Sequence, residues 1–324
     1  MKIAMIAPDN DFTSAILQGL KQRLPGDELL PWKPKTSAPS SDIEVILGMG
    51  PVTREQMQSQ PKLGLIQTTS DGYETVDIQA ATELGIWVSF SPGDESGNAD
   101  SVAEYAVMLL IAACRRLGEE RGFVLDHSRS QPLLNRALIG MTVCIIGFGS
   151  IGAKVAHRLR PFGVHLAAVD EHPEHAPPDV RARPVSETKQ AIAEADAVVL
   201  CVRASAKTKH MVDADFLSAM KRGAVLVNIA RGSLVDEKAL IAAVQSGQIG
   251  AAGLDVTETE PIDPHSPLLT FPQVFITPHI AGFTDHMLEG TLEYVVNTLN
   301  DFREGKKMNS LLNKPESPRR PLQE

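Results

Sequence analysis

Val143-Cys144-Ile145-Ile146-Gly147-Phe148-Gly149-Ser150-Ile151-Gly152 runs on through Ala153 to Leu159, and Val164-His165-Leu166-Ala167-Ala168-Val169 then closes on Asp170. An apolar, β-branched run enters a Gly-x-Gly-x-x-Gly turn. A helical pattern leaves the turn, and a second apolar run ends on a carboxylate. This is the strand–turn–helix–strand unit that binds a dinucleotide. Gly147 permits the tight turn, Gly149 lets the backbone approach a pyrophosphate, and Gly152 lets helix and strand pack closely. Phe148, Ser150 and Ile151 complete the loop, whose N–H groups and helix dipole favour phosphate. Asp170 lies 18 residues past Gly152, where a carboxylate can accept from the adenosine ribose hydroxyls.

The rest of the composition sets limits. A chain of 324 residues suggests about two domains. It is 43% hydrophobic and 22% charged, enough apolar content for a sizeable core. The net charge of −9 gives no general attraction to nucleic acid or an anionic membrane. Cys114, Cys144 and Cys201 sit in apolar segments without metal-ligand spacing. No metal is expected, and reduced thiols point to the cytoplasm. The apolar stretch from Tyr105 to Cys114 falls short of the roughly 20 residues that span a bilayer. Met1 to Ile6 reads as a strand, not a cleavable signal.

Before the glycine turn, strands are expected at Met1 to Ala7, Glu44 to Met49, Leu63 to Thr69 and Ile86 to Phe90. Helical spacing at Phe12 to Leu24 and Ile78 to Leu84 separates them, and Pro31 to Ser41 reads as loop. Alternation of this kind makes a small parallel α/β unit. Pro92 to Asn98 is a turn-rich hinge. A strongly apolar helix follows over Ser101 to Leu117 and is expected between domains or at a subunit contact. Gly118 to Gly140 reads as an arm or connecting segment. After Asp170, strands at Ala197 to Val202, Ala224 to Ile229, Ala251 to Val256 and Val274 to Thr277 bring the count to six. These fit a doubly wound parallel sheet, with Glu171 to Arg183 as a polar connection. Met287 to Arg303 is a final helix that can pack back on the first domain. Residues from Gly305 onward lack periodicity and read as a mobile tail.

Three strand ends carry chemistry: Asn228-Ile229-Ala230-Arg231-Gly232, Gly253-Leu254-Asp255-Val256 running to Glu260-Pro261, and Thr277-Pro278-His279-Ile280-Ala281-Gly282. Ligands of an open α/β sheet bind beyond the carboxyl ends of its strands. Arg231, Glu260 and His279 therefore converge on one crevice in this reading. Arg can clamp a carboxylate with paired hydrogen bonds. His can give or take a hydroxyl proton near neutral pH. A Glu bonded to the His favours its protonated form and fixes its tautomer. The set suits hydride exchange between a 2-hydroxy acid and a 2-oxo acid. Singly, each residue could equally be a surface or core residue; the three together carry the reading.

With these motifs, and with Asn98-Ala99 to Val102-Ala103-Glu104-Tyr105-Ala106, the chain resembles the D-isomer-specific 2-hydroxyacid dehydrogenase family over about Leu65 to Ile280. The family includes D-lactate, D-glycerate (hydroxypyruvate/glyoxylate) and D-3-phosphoglycerate dehydrogenases, formate dehydrogenases and a corepressor branch. The resemblance implies a Rossmann cofactor domain over 98–287. It also implies a smaller, discontinuous, flavodoxin-like substrate domain from 1–97 and 288–324. It makes Arg231 the residue that binds the substrate carboxylate and carbonyl, His279 the general acid/base and Glu260 its partner. It puts Asp255 near the nicotinamide carboxamide, with Ala230 and His279 also beside the cofactor and Thr208 near its phosphates. Asp71, Gly72 and Tyr73 would offer backbone N–H groups to the substrate. A homodimer acting on a small 2-oxo or 2-hydroxy acid follows.

One departure bears on the cofactor. Val202-Arg203 stands where most members have Val-Pro. Arg203 can stack on adenine or meet a 2′-phosphate, so NADP stays open beside the expected NAD. Two other functions also stay open. One is a dinucleotide-sensing corepressor; the other is formate or phosphite oxidation on the same fold.

Overall fold

The computed structural model describes residues 1–119 and 134–323. The chain divides into two compact units, Met1–Asn98 with Phe283–Glu324, and Ala99–Gly282. The sequence drew the second limit inside the last helix. That helix spans Asp285–Glu304 and falls whole within the first unit, so the limit lies ahead of it. Thr284 caps it, its side chain accepting the Met287 N–H. The part of the expected arm over 120–133 lies outside the described residues.

The first unit holds a parallel sheet of five strands: β1 (Lys2–Ile6), β2 (Glu28–Trp32), β3 (Val45–Gly48), β4 (Leu65–Thr68) and β5 (Trp87–Ser89). Their order is β2-β1-β3-β4-β5. Alternate residues face opposite layers. Ile3, Met5, Val45 and Leu47 join one apolar cluster, while Ala4, Ile6 and Ile46 join the other. Burial on both faces is what a parallel sheet under helices requires. β2 corrects the reading of Pro31 as loop. Pro31 sits in an edge strand, where its missing N–H leaves no gap in a ladder.

The second unit holds seven parallel strands: β6 (Thr142–Ile146), β7 (His165–Asp170), β8 (Val180–Pro184), β9 (Ala197–Leu200), β10 (Ala224–Asn228), β11 (Ile249–Leu254) and β12 (Val274–Ile276). Their order is β12-β11-β10-β9-β6-β7-β8. The same alternation divides its core. Cys144, Ile146, Val198 and Leu200 point into one layer, and Val143, Ile145, Ala197 and Val199 into the other. The chain order reverses between β6 and β9, which opens the crevice of a doubly wound sheet beside the glycine turn. β8 is a seventh strand within the stretch read as polar connection. Val180 and Ala182 alternate with Arg181 and Arg183 as an edge strand should.

Two further stretches find their partners. The apolar helix, Asn98–Cys114, packs into the core of the second unit: Val102, Ala106, Leu109 and Leu110 share a cluster with Val143, Val199 and Val227. A Cβ at Gly253 would come within 3.0 Å of Leu109, so this glycine lets the helix settle on β11. The residues after Gly305 are laid against the first unit and are no loose tail. Leu311 bridges Ser89 in antiparallel fashion, and Leu312 N–H donates to the Val88 carbonyl at 2.8 Å. Asn313 accepts the Val88 N–H and donates to the Ile86 carbonyl, at 2.8 and 2.9 Å. Trp87 Nε1 donates to the Arg320 carbonyl at 2.8 Å. Backbone pairing to a sheet edge needs no hydrophobic period, so no sequence pattern marks it. Among the described residues no helix is long and apolar enough to cross a membrane.

Candidate active site

β6 ends at Ile146, and Gly147 turns the chain with φ +91°. A Cβ there would lie 2.7 Å from the Val202 nitrogen, so the turn is pressed against the end of β9. A Cβ on Gly152 would stand 2.2 Å from the Gly147 carbonyl oxygen, which fixes how closely the helix Ser150–Leu159 follows the strand. Gly149 differs: nothing lies within 4 Å of its would-be Cβ. The protein itself does not demand a glycine there, and the open space suits a phosphate drawn against the backbone. The helix has Gly149 as its N-cap with no side-chain cap, leaving first-turn donors for an anion. Phe148 and Ile151 instead pack on the core.

Asp170 ends β7 and reaches back to this loop. Its Oδ2 accepts the Phe148 N–H at 2.7 Å and its Oδ1 the His172 N–H at 2.8 Å. The carboxylate thus braces the glycine turn and keeps lone pairs for ribose hydroxyls. The residues present fit a dinucleotide. Val202 packs on the core beyond β9 and Arg203 is exposed. The Thr208 hydroxyl is used inside its own turn, accepting the Ser205 N–H at 2.8 Å and donating to the Arg203 carbonyl at 3.0 Å. Its first role is to shape that turn.

The acid/base residues lie at the ends of β10, β11 and β12. Asn228 is buried; its Nδ2 donates to the Arg231 carbonyl at 2.9 Å and its Oδ1 accepts the Ala230 N–H at 3.1 Å. This side chain bends the strand end so that Arg231 leaves it in an extended conformation, φ −147° and ψ 143°. Arg231 Nη1 also donates to the Ala230 carbonyl at 2.8 Å. The sequence reading assigns Asn228 no such task. An amide as the last residue of a buried strand was the available signal.

Glu260 Oε2 and His279 Nδ1 stand 2.8 Å apart. An ionised carboxylate only accepts, so Nδ1 carries the proton and Nε2 is the nitrogen left for exchange. Burial raises the Glu260 pKa, but the His279 hydrogen bond and charge, the Thr257 amide and the Arg231 charge outweigh it. The net effect holds Glu260 below the usual glutamate value. Arg231, whose charge acts on Glu260, lies with Glu260 and His279 in the second unit.

His279 has φ +56°, a region that costs a non-glycine residue about 1–2 kcal/mol. Asp255 holds it there. His279 N–H donates to the Asp255 carbonyl at 2.7 Å. The Asp255 carboxylate accepts from Thr277 Oγ1 at 2.7 Å, Ile280 N–H at 3.0 Å and Ala281 N–H at 2.9 Å. Asp255 is 1% exposed, so it has almost no surface to offer a cofactor. What its bonds carry is a positioning role for the His279 loop. Buried anions persist where several donors satisfy them, as here.

Asp71, Gly72 and Tyr73 follow β4 in the first unit. Ser70 Oγ donates to the Gly72 carbonyl at 3.3 Å, and the Tyr73 ring meets Phe90 edge-on with centroids 5.6 Å apart. Burial pushes the Cys114 thiol up to about 11 and Cys144 to about 12. Among the described residues no group of three or more His, Cys, Asp or Glu could hold a metal ion.

Comparison with known proteins gives a consistent answer. Residues 107–281 match the family model for the D-isomer specific 2-hydroxyacid dehydrogenase, NAD binding domain. The chain is 34% identical over 278 residues to a glyoxylate reductase of Korarchaeum cryptofilum, covering 84% of this chain and 82% of that protein. It is 32% identical over 287 residues to a D-3-phosphoglycerate dehydrogenase of Methanocaldococcus jannaschii, covering 87% of this chain but 53% of that longer protein. Among solved structures it is similar to an NADPH-dependent glyoxylate/hydroxypyruvate reductase of Sinorhizobium meliloti, with TM-score 0.84, 27% identity and full coverage of both chains. An NAD-dependent formate dehydrogenase of Staphylococcus aureus, solved with NAD, gives TM-score 0.83 and 26% identity, covering 97% of this chain and all of that one.

Proposed function

The chain belongs to the D-isomer specific 2-hydroxyacid dehydrogenases, NAD-binding oxidoreductases of CH–OH groups, and from that premise we propose that it interconverts a small 2-oxo acid and its D-2-hydroxy acid with His279 as the proton donor and acceptor. The observation that carries this is the 2.8 Å pairing of His279 Nδ1 with Glu260, on loops packed around the Arg231 turn.

Bound NAD(H) supplies or removes the hydride at the substrate's C2. The rest falls to the chain's own side chains. Arg231 holds the carboxylate by its two-pronged guanidinium and draws charge toward the C2 oxygen. His279, charged and fixed by Glu260, gives its Nε2 proton to that oxygen in reduction and takes it back in oxidation. For Asp71, Gly72 and Tyr73 the proposed substrate contact rests on the family resemblance alone. So do the homodimer and, with three free thiols, the cytoplasmic location.

The test is NADH consumption with glyoxylate, hydroxypyruvate, pyruvate and phenylpyruvate in parallel, beside NADH formation with formate. Turnover of at least one 2-oxo acid is expected. Turnover of formate alone, or tight NADH binding without turnover, would overturn the proposal. NADH should be used more efficiently than NADPH, because the Asp170 carboxylate repels a 2′-phosphate. Equal efficiency would give Arg203 the larger part in cofactor choice.

A further inference from the structure

Two histidines of the second unit hold the left-handed backbone region, His279 at φ +56° and His210 at φ +52°. Each is hydrogen-bonded to a glutamate of one short loop: His279 to Glu260 at 2.8 Å, and His210 Nε2 to Glu258 Oε1 at 2.7 Å. Only the first pair has a place in the chemistry so far. We propose that His210 is a positioning residue for the reaction: it grips Glu258 and thereby fixes the loop that aims Glu260 at His279. The inference rests on reading Glu260 and His279 as the acid pair.

The loop is anchored at its ends, where Val256 and Thr257 are buried and Ile262 packs on the core. Its start, Thr257, lies against Gly232, where a Cβ would be 1.8 Å from the Thr257 carbonyl oxygen. The Glu258 N–H donates to Glu237 Oε1 at 2.6 Å. Thr257 also bonds within the loop, its hydroxyl to the Thr259 carbonyl at 2.9 Å and its N–H to Glu260 Oε1 at 3.3 Å. The His210 ring is therefore the one side chain among these contacts that reaches the loop from the β9 side. The residue is itself held, its backbone N–H donating to the Ser233 carbonyl at 2.8 Å. A left-handed non-glycine residue persists only where its surroundings insist on it. A hydrogen-bonded pair this exposed, 37% and 36%, adds little to stability, so placement of Glu260 is the more economical account of it. Of the charged groups, Glu237 meets the pair's loop by accepting the Glu258 N–H at 2.6 Å, and Lys207 and Lys209 neighbour His210 in the chain.

The segment also links the acid pair to the cofactor side. Thr208 bonds to Arg203 and Ser205, and the Met211 N–H donates to the Thr208 carbonyl at 3.1 Å. One hydrogen-bonded turn thus runs from Arg203 to the His210 anchor.

The experiment compares His210→Asn, Glu258→Gln and Glu260→Gln with wild type. Asn tolerates the left-handed region, so His210→Asn removes the grip without adding strain. Two readouts are taken across pH 5 to 9: the rate of 2-oxo acid reduction, and the NMR titration of the His279 ring, which needs no turnover. His210→Asn and Glu258→Gln should each lower kcat about 10-fold, less than the roughly 10²-fold of a full 1 Å misplacement. Both should move the alkaline limb of the reductive rate and the His279 titration to lower pH, part of the way to Glu260→Gln. Added to Glu260→Gln, neither should move them further, because they act through the same carboxylate. NADH affinity should stay within about twofold, since the substitutions leave the glycine turn and Asp170 intact. If Glu260→Gln shifts both readouts and His210→Asn shifts neither, the positioning role falls alone. If Glu260→Gln shifts neither, the acid-pair reading fails and this inference with it. A loss of NADH affinity in step with kcat, with both titrations unmoved, would make His210 a structural residue and overturn the proposal.

Discussion

Gly232 and Thr257 meet backbone to backbone, so close that a Cβ on Gly232 would stand 1.8 Å from the Thr257 carbonyl oxygen and 2.6 Å from the Glu258 nitrogen. This contact joins the turn that carries Arg231 to the loop that carries Glu260. Gly232→Ala must push the two apart, since neither neighbour is a flexible side-chain tip. A displacement near 1 Å costs about 10²-fold in turnover. Steady-state kinetics should show that loss with NADH binding retained. Wild-type kcat in Gly232→Ala would mean the loops can separate freely.

Arg231→Lys replaces a planar fork with a point charge. The substrate KM should rise strongly while NADH affinity, measured by fluorescence titration, changes little. Parallel loss of both would make Arg231 a structural residue of the turn.

Glu260 carries a pKa held below the ordinary glutamate value, so the pair's charge is present at neutral and mildly acidic pH. It is lost only as pH falls through that depressed pKa. The reductive rate should therefore persist into mild acid, and fall once rising pH removes the proton that reduction consumes. The oxidative rate should climb over that same range. Glu260→Gln removes the charge that favours imidazolium, and the alkaline limb of reduction should move to lower pH. His279→Ala should cost about 10²–10⁴ in turnover. An unshifted limb in Glu260→Gln, with deuterated NADH confirming that chemistry limits the rate, would break the pair.

Asp255→Ala strips the acceptor from Thr277 Oγ1, Ile280 N–H and Ala281 N–H. Leaving a buried donor unpaired costs about 1–3 kcal/mol. The melting temperature should drop, and the His279 loop should relax out of its left-handed turn. In Asp255→Asn one oxygen is kept, so stability should recover in part while activity stays low. Full activity in Asp255→Ala would show that His279 needs no such brace.

Truncation after Lys307 removes Leu311, Asn313 and Arg320, which pair with β5 and the Trp87 indole. Trp87 is 7% exposed. Its fluorescence should shift to the red and the chain should melt at lower temperature. An unchanged spectrum would return the segment to the status of a loose tail.

The sequence by itself determined the glycine turn, the acidic end of β7 and the three strand ends that carry Arg231, Glu260 and His279. These are local facts: an apolar run of β-branched residues is a buried strand, and a glycine spacing is a turn, wherever the rest of the chain lies. Edge elements were harder. β8 and β2 are half-exposed, their alternation is short, and prolines nearby look like loop. The segment after Gly305 was invisible because it is held by backbone pairing and by side chains donating to carbonyls, which leave no hydrophobic period. Only the tertiary structure decided what Asp255 and His210 do. Asp255 lies 24 residues before His279, and His210 lies 48 residues before Glu258. Which donor a buried carboxylate takes, and which loop an imidazole grips, follow from how neighbouring strand ends approach. That approach is set by the packing of the whole sheet, which no local pattern encodes.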